Sequence, residues 1–318
     1  MSLESETKAQ TAFQSLTILL GSVPLSLASS ESPITFLLHN PNIAKEISSR
    51  LNQPNSGSGD NELCRWLYDT FQSSDPDLQL VVLRFLPTIG GLYLSRANLR
   101  KSLAGFEAIL LAIYAHETIS RNGQPVMVNI PDLSHASVYH EVQSSNTETE
   151  LNLAFLSQSL EPYSTIRSTK RARIVGVSLE LYYSKIALMP VSSKIDFCKF
   201  CVVWAGQDGD MFDDSEEEEK NGGEQGGKKG RIPLPWELLQ PVLRILSHCL
   251  LGLNKSKELK DVANAACRSL HARALHDVNP QAILATGSLL KLGKMEMHST
   301  DEPDPTEISD FMNPVISL

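Results

Sequence analysis

The sequence predicts an all-α fold, an irregular stack of helical hairpins in one domain, with one short β-hairpin near residues 116–130 and a disordered acidic loop. Three observations predict it. Apolar residues recur at helical spacing along most of the chain, and several of the resulting helices are too apolar to lie on a surface, so they must share a core. One stretch alone, "TISRNGQPVMVNIP", places β-branched residues on both sides of a turn signal.

Taken in order, the first strong helix follows "SSDPD": Leu78, Val81, Val82, Phe85, Ile89 and Leu92 share a face, Ser74 or Asp75 caps it, and Pro76 suits its first turn. Pro87 and Gly90-Gly91 are expected to kink or break it. Leu103, Phe106, Leu110, Ile113 and Tyr114 mark a second helix that begins near Ser102. Asn122-Gly123 then signals a hairpin, with Pro125 confining it to an edge or a short ribbon. Ile174, Val177, Leu181 and Leu188 mark a helix stopped by Pro190, and a shorter one carries Ile195 to Trp204. The runs "PWELLQPVLRILSHCLLGL", "KELKDVANAACRSLHARAL" and "PQAILATGSLLKL" are three further helices, joined by turns at Asn254 and Asn279.

The domain is expected to span 8–292. Polar loops at about 52–62, 143–150 and 205–231 and a tail at 293–318 are too poor in apolar residues to repay the entropy of ordering. The net charge of −9 owes most of its size to one block, since Asp208, Asp210, Asp213, Asp214 and Glu216 through Glu219 are all acidic. Without it the chain is close to neutral, and no basic field points to nucleic acid. Five scattered cysteines, odd in number, suit a reducing compartment. Near the N-terminus, "TAFQSLTILLGSVPLSLASS" has the apolarity of a signal-peptide core, but Glu4 and Glu6 outweigh Lys8 where positive charge is wanted. A chain without a leader, membrane span or lipid anchor is expected.

Candidate chemistry is sparse. "CKFC" at Cys198 to Cys201 is half of a zinc site or a redox dithiol; without a second pair, buried core cysteines are expected instead. "RSTKRAR" offers Arg167, Lys170, Arg171 and Arg173 to an anionic lipid surface, each exposed cation contributing about 1 kcal/mol there, or it is the solvated start of a helix. "DDSEEEE" embeds Ser215 as a candidate phosphosite in a solubilising loop. "IPDLSHASVYHE" gathers His135, His140 and Glu141. A metal-dependent hydrolase could be built from these three. Against it, two histidines five apart would diverge by about 140° on a helix, and no activated nucleophile accompanies them. The residues therefore give no catalytic, cofactor-binding or metal-binding assignment, and this chain is expected not to be an enzyme. Aromatic and imidazole groups on an ordered loop better suit a partner's pocket, with Tyr139 and His140 at least partly buried.

In their order along the chain, "LQLVVLRFLPTIGGLYL" at 78–94, "GFEAILLAIYAHETISRNGQP" at 105–125 and "IPDLSHASVYHE" at 130–141 resemble the hyccin family. "ARIVGVSLELYYSKIALMP" and "GRIPLPWELLQPVLRIL" are similar to that family's later helices, so the likeness covers roughly 8–292 with the acidic block outside it. The family-signature segment comprises Ile130, Pro131, Leu133, Ser134, Ser137, Val138, Tyr139, His140 and Glu141. What the resemblance implies is a non-catalytic subunit without a cofactor. Such a subunit clasps a tetratricopeptide-repeat scaffold, which holds a type III phosphatidylinositol 4-kinase, while a lipid-anchored protein recruits the assembly to the cytoplasmic face of the plasma membrane. The chain departs from the family in its large acidic loop, its short polar tail, and Val142 where a proline follows the signature. A helical adaptor that binds anionic membrane directly through the basic cluster is the alternative.

Overall fold

A computed structural model describes residues 3–21, 33–97, 103–131, 151–206, 234–252 and 256–299. Helices dominate them. In chain order they are α1 (Leu3–Leu20), α2 (Pro33–His39), α3 (Pro41–Asn52), α4 (Glu62–Gln72), α5 (Pro76–Arg84), α6 (Leu86–Ala97) and α7 (Ala104–Ser120). A two-stranded antiparallel ribbon follows, β1 (Val126–Pro131) with β2 (Leu151–Ser157), then α8 (Arg171–Ser184), α9 (Val191–Ala205), α10 (Trp236–Leu251), α11 (Lys257–His276) and α12 (Pro280–Ser299). The expected all-α class holds.

One continuous apolar core runs through the stack. α4 packs on α7, α7 on α8, α8 on α10, and α10 on α11 and α12, while α9 lies between α6 and α11. Its largest fully buried side chains include Trp204, Tyr93, Tyr114 and Tyr182. Among the described residues no single helix is long and apolar enough to cross a bilayer; α5 and α6 pass that test only as a pair bent by 47°, and their apolar residues lie in the core.

Caps match their side chains. Asp75 accepts from the Asp77 and Leu78 amides, with Pro76 opening α5, and Asn40 and Asn61 cap α3 and α4. At the other ends, four arginines supply what the last carbonyls of a helix lack. Arg50 donates to Leu19 O (2.8 Å) and Leu20 O (2.9 Å) at the end of α1. Arg84 donates to Leu37 O and Leu38 O of α2, Arg96 to Asn52 O and Gln53 O (both 3.0 Å) at the end of α3, and Arg273 to Ala205 O (3.1 Å) of α9. Each guanidinium belongs to another helix, so each clasp ties two elements together. Burial pulls the Arg84 and Arg96 guanidinium groups below their usual range, and Asp196 partly offsets this at Arg84.

Several sequence expectations need correction. The 52–62 segment is packed rather than loose: Ser56 is buried, Arg96 donates to its O (2.9 Å) and Oγ (2.7 Å), and Gly57 O accepts from the Gly105 amide at 2.9 Å. Gly57 sits at φ +89 with the Phe106 ring where a Cβ would be, so no other residue fits without strain. α5 breaks at Phe85 rather than at Pro87, which falls in the first turn of α6, where its missing N–H costs little. Gly90 and Gly91 do not kink α6; Gly91 lets the Phe200 ring of α9 approach. Asn122-Gly123 ends a helix instead of turning a hairpin. Both residues have positive φ, and the Gly123 amide reaches back to Thr118 O at 2.9 Å in a helix-terminating bond. β1 accordingly pairs with β2, across residues 132–150. The C-terminal helix also runs to Ser299, past the expected tail boundary at 293. Residues 143–150 and all but the first two residues of 205–231 lie outside the described residues.

Candidate partner-binding surface

The ribbon positions the signature segment, because Ile130 and Pro131 are the last two residues of β1, paired with Asn152 and Leu151. Its base is pinned to the stack. The Leu160 amide donates to Gly123 O (2.9 Å), Tyr114 Oη to Glu161 O (2.9 Å), and Arg121 to Ser157 Oγ (2.9 Å). Arg121 also pairs with Glu117 (2.5 Å) on α7 and Glu180 (3.0 Å) on α8, and Glu180 pairs with Arg244 (3.5 Å) on α10. One partly buried charge network thus fixes the ribbon's root against three helices.

Beyond its root the ribbon exposes apolar side chains. The register sets Met127 opposite Phe155 and Asn129 opposite Leu153, and side chains two apart share a face. Met127, Leu153 and Phe155 are exposed on that face, Phe155 at 60%. Neither strand carries a charged residue. Two-stranded ribbons are marginal alone in water, and this one lacks the lysines and inward charges that guard free strand edges. A cavity of about 490 Å³ lies beside β2, lined by Phe155 and Leu156, by Arg173 and Glu180 of α8, and by Trp236 and Gln240 of α10.

Of the signature residues, Ile130 and Pro131 lie in β1, while Leu133, Ser134, Ser137, Val138, Tyr139, His140 and Glu141 fall outside the described residues, as do His135 and Ser215. The basic cluster is described, and most of it faces inward. Arg171 donates to Tyr93 Oη (3.0 Å) and lies over the same ring, Lys170 stacks on Tyr163, and Arg173 donates to Ser159 O. Arg167 is exposed.

The cysteines converge more than their spacing suggested. Cys198, Cys201, Cys249 and Cys267 come from α9, α10 and α11 and meet in the core, with Cys198 hydrogen-bonded to Cys249. The Cys249 contact and burial raise the Cys198 thiol far above its usual value; burial raises Cys201 strongly and Cys267 to about 12. Cys198, Cys201 and Cys267 stay protonated, and all four side chains pack as small buried hydrophobes. Among the described residues no group of three or more His, Cys, Asp or Glu side chains is arranged to hold a metal ion.

Sequence reasoning missed Arg121, Glu180 and the Met127/Leu153/Phe155 face. The alternation in "LNLAFLS" was the signal for the second strand. The match to the family model described as Hyccin spans residues 28–317. It begins after α1 and runs through both the acidic block and the tail, unlike the 8–292 likeness read from the sequence. With nine-tenths of its length inside that match, the chain belongs to the hyccin family.

Proposed function

We propose that this chain is a non-catalytic subunit that binds and stabilises a tetratricopeptide-repeat scaffold of the plasma-membrane phosphatidylinositol 4-kinase complex. In this way it supports phosphatidylinositol 4-phosphate production. The observation that carries the proposal is the family match over 28–317. The surface fits it: the signature segment follows a ribbon whose outer face presents Met127, Leu153 and Phe155, carries no charge, and is rooted in a charge network. That ribbon and segment form the contact with the scaffold. Membrane association is indirect, through the scaffold and a lipid-anchored recruiter, and the chain moves between cytosol and the cytoplasmic face of the plasma membrane.

No chemistry is needed for such a subunit to raise kinase output. Binding the folded scaffold and not the unfolded one stabilises it by RT ln(1 + [L]/Kd), about 2.7 kcal/mol at a hundredfold excess over Kd. For a repeat protein of ordinary stability that is a large share of the total. The test is size-exclusion co-elution of purified chain and scaffold, with each shown to be folded by circular dichroism. A stable complex and a raised scaffold melting temperature are expected, weakened by Phe155→Glu. Separate elution of two folded proteins would refute the proposal.

A further inference from the structure

A groove of about 690 Å³ runs between α1 and α4, away from the ribbon. The two helices are antiparallel, since Lys8 Nζ reaches Ser73 O (3.4 Å) and Trp66 Nε1 reaches Ala12 O (2.9 Å). Each wall is about 17 Å long at ~1.5 Å per residue. Ala12, Leu19 and Trp66 contribute apolar lining, and Ile18 projects from the α1 lip, 84% exposed. Lys8, Arg65, Glu62 and Asp69 supply the charges. Arg65 and Asp69 are exposed, one turn apart on the same face of α4, and among the described residues neither belongs to an ion pair.

We infer that a second copy of this chain occupies this groove, through a two-fold contact between the α1–α4 faces. The charges argue for that occupant. Two of each sign make the face neutral, so a uniformly acidic or basic helix would meet like charge on it. A two-fold image satisfies it: when α4 crosses its own copy antiparallel about Leu67, Arg65 faces Asp69 of the second copy and Asp69 faces Arg65. Such reciprocal pairing is what an isologous interface requires. The same operation lays Ile18 over the other end of the second copy's groove, against the stem of Lys8. Two helices of this length present a face well short of the ~800 Å² per partner of a standard interface. The dimer is therefore weak and concentration-dependent.

Sedimentation velocity on the full chain, from low micromolar to about 100 µM, a range in which a Kd of tens of micromolar is visible, tests the inference. Wild type is expected to shift from monomer to dimer. Arg65→Asp and Asp69→Arg should each raise the dissociation constant at least tenfold, because two attractions become two repulsions. Mixing the two variants should restore dimers: one copy then carries two aspartates and the other two arginines, and both cross-pairs match. Ile18→Glu should weaken association without touching those pairs. A wild type that stays monomeric throughout overturns the inference, as do single variants that still dimerise or a mixture that fails to recover, circular dichroism confirming that each is folded. Loss of scaffold co-elution in the charge variants alongside a monomeric wild type would assign the groove to the scaffold instead. Because scaffold binding is assigned to the ribbon, either reading can fail alone.

Discussion

Arg96 offers the sharpest test of how the stack is held. This residue is 8% exposed, forms no ion pair with a carboxylate among the described residues, and its guanidinium donates to Asn52 O, Gln53 O, Ser56 O and Ser56 Oγ at 2.7 to 3.0 Å. Arg96→Met keeps most of the aliphatic volume and removes every one of those donors. Gln53 O retains the Ser56 amide (3.1 Å) and hydroxyl (2.8 Å), so Asn52 O and Ser56 O are the carbonyls that lose the most. Charge-assisted bonds of this kind contribute about 1.5–3 kcal/mol each, and stranding a buried acceptor costs about 1–3 kcal/mol. Part of this is returned, because a buried cation no longer has to be desolvated. The net expected loss is about 3 kcal/mol. Urea denaturation followed by helical circular dichroism should show the midpoint falling with an unchanged slope, whereas Arg65→Met, on the exposed face of α4, should change stability by less than about 0.5 kcal/mol. A loss at Arg96 below about 1 kcal/mol would mean that the carbonyls find water, and that the arginine clasps are not what orders residues 52–62.

Three further outcomes follow from the same geometry. Burial and then Lys194, 3.5 Å away, hold the His248 imidazole below its usual value, so the folded chain binds fewer protons there than the unfolded one. Stability from this site is intact above about pH 6.5 and falls as the pH drops through that unfolded value, by at most about 1.4 kcal/mol per unit; His248→Gln should flatten the decline between neutral and mildly acidic pH, and identical profiles would refute the assignment. All five cysteines are buried, so Ellman's reagent should find almost none in the native protein and all of them in denaturant; rapid native labelling at Cys198 or Cys201 would contradict the protonated core assignment. Gly57→Ala should destabilise by about 2 kcal/mol or more, from positive φ and a Cβ placed 2.6 Å from the Phe106 ring, while Gly59→Ala, meeting only Ala104 at 3.4 Å, serves as the control.

What was legible in the sequence was local, and what was missed depended on distant partners. Asp75 and Pro76 announce the start of α5 because a cap and a first-turn proline act within four residues. Asn122-Gly123 was misread because local chemistry there is degenerate. Two consecutive residues at positive φ suit a hairpin turn and a helix end equally, and the choice is made by the Gly123 amide reaching Thr118 O rather than by the dipeptide. The 52–62 segment reads as a linker by composition, yet its order comes from Arg96, some forty residues on, and from the Phe106 ring. The cysteines show the same effect. Cys249 and Cys267 are remote from Cys198 in sequence, but α9 lies against α11, and α10 against α11. That convergence also reshapes the functional question. The pair expected to be core cysteines is joined in the core by two more, and what the chain leaves exposed lies outward, in an uncharged ribbon and a neutral groove. On the two proposals made above, a second protein surface completes both: the repeat scaffold at the ribbon and another copy of the chain at the groove.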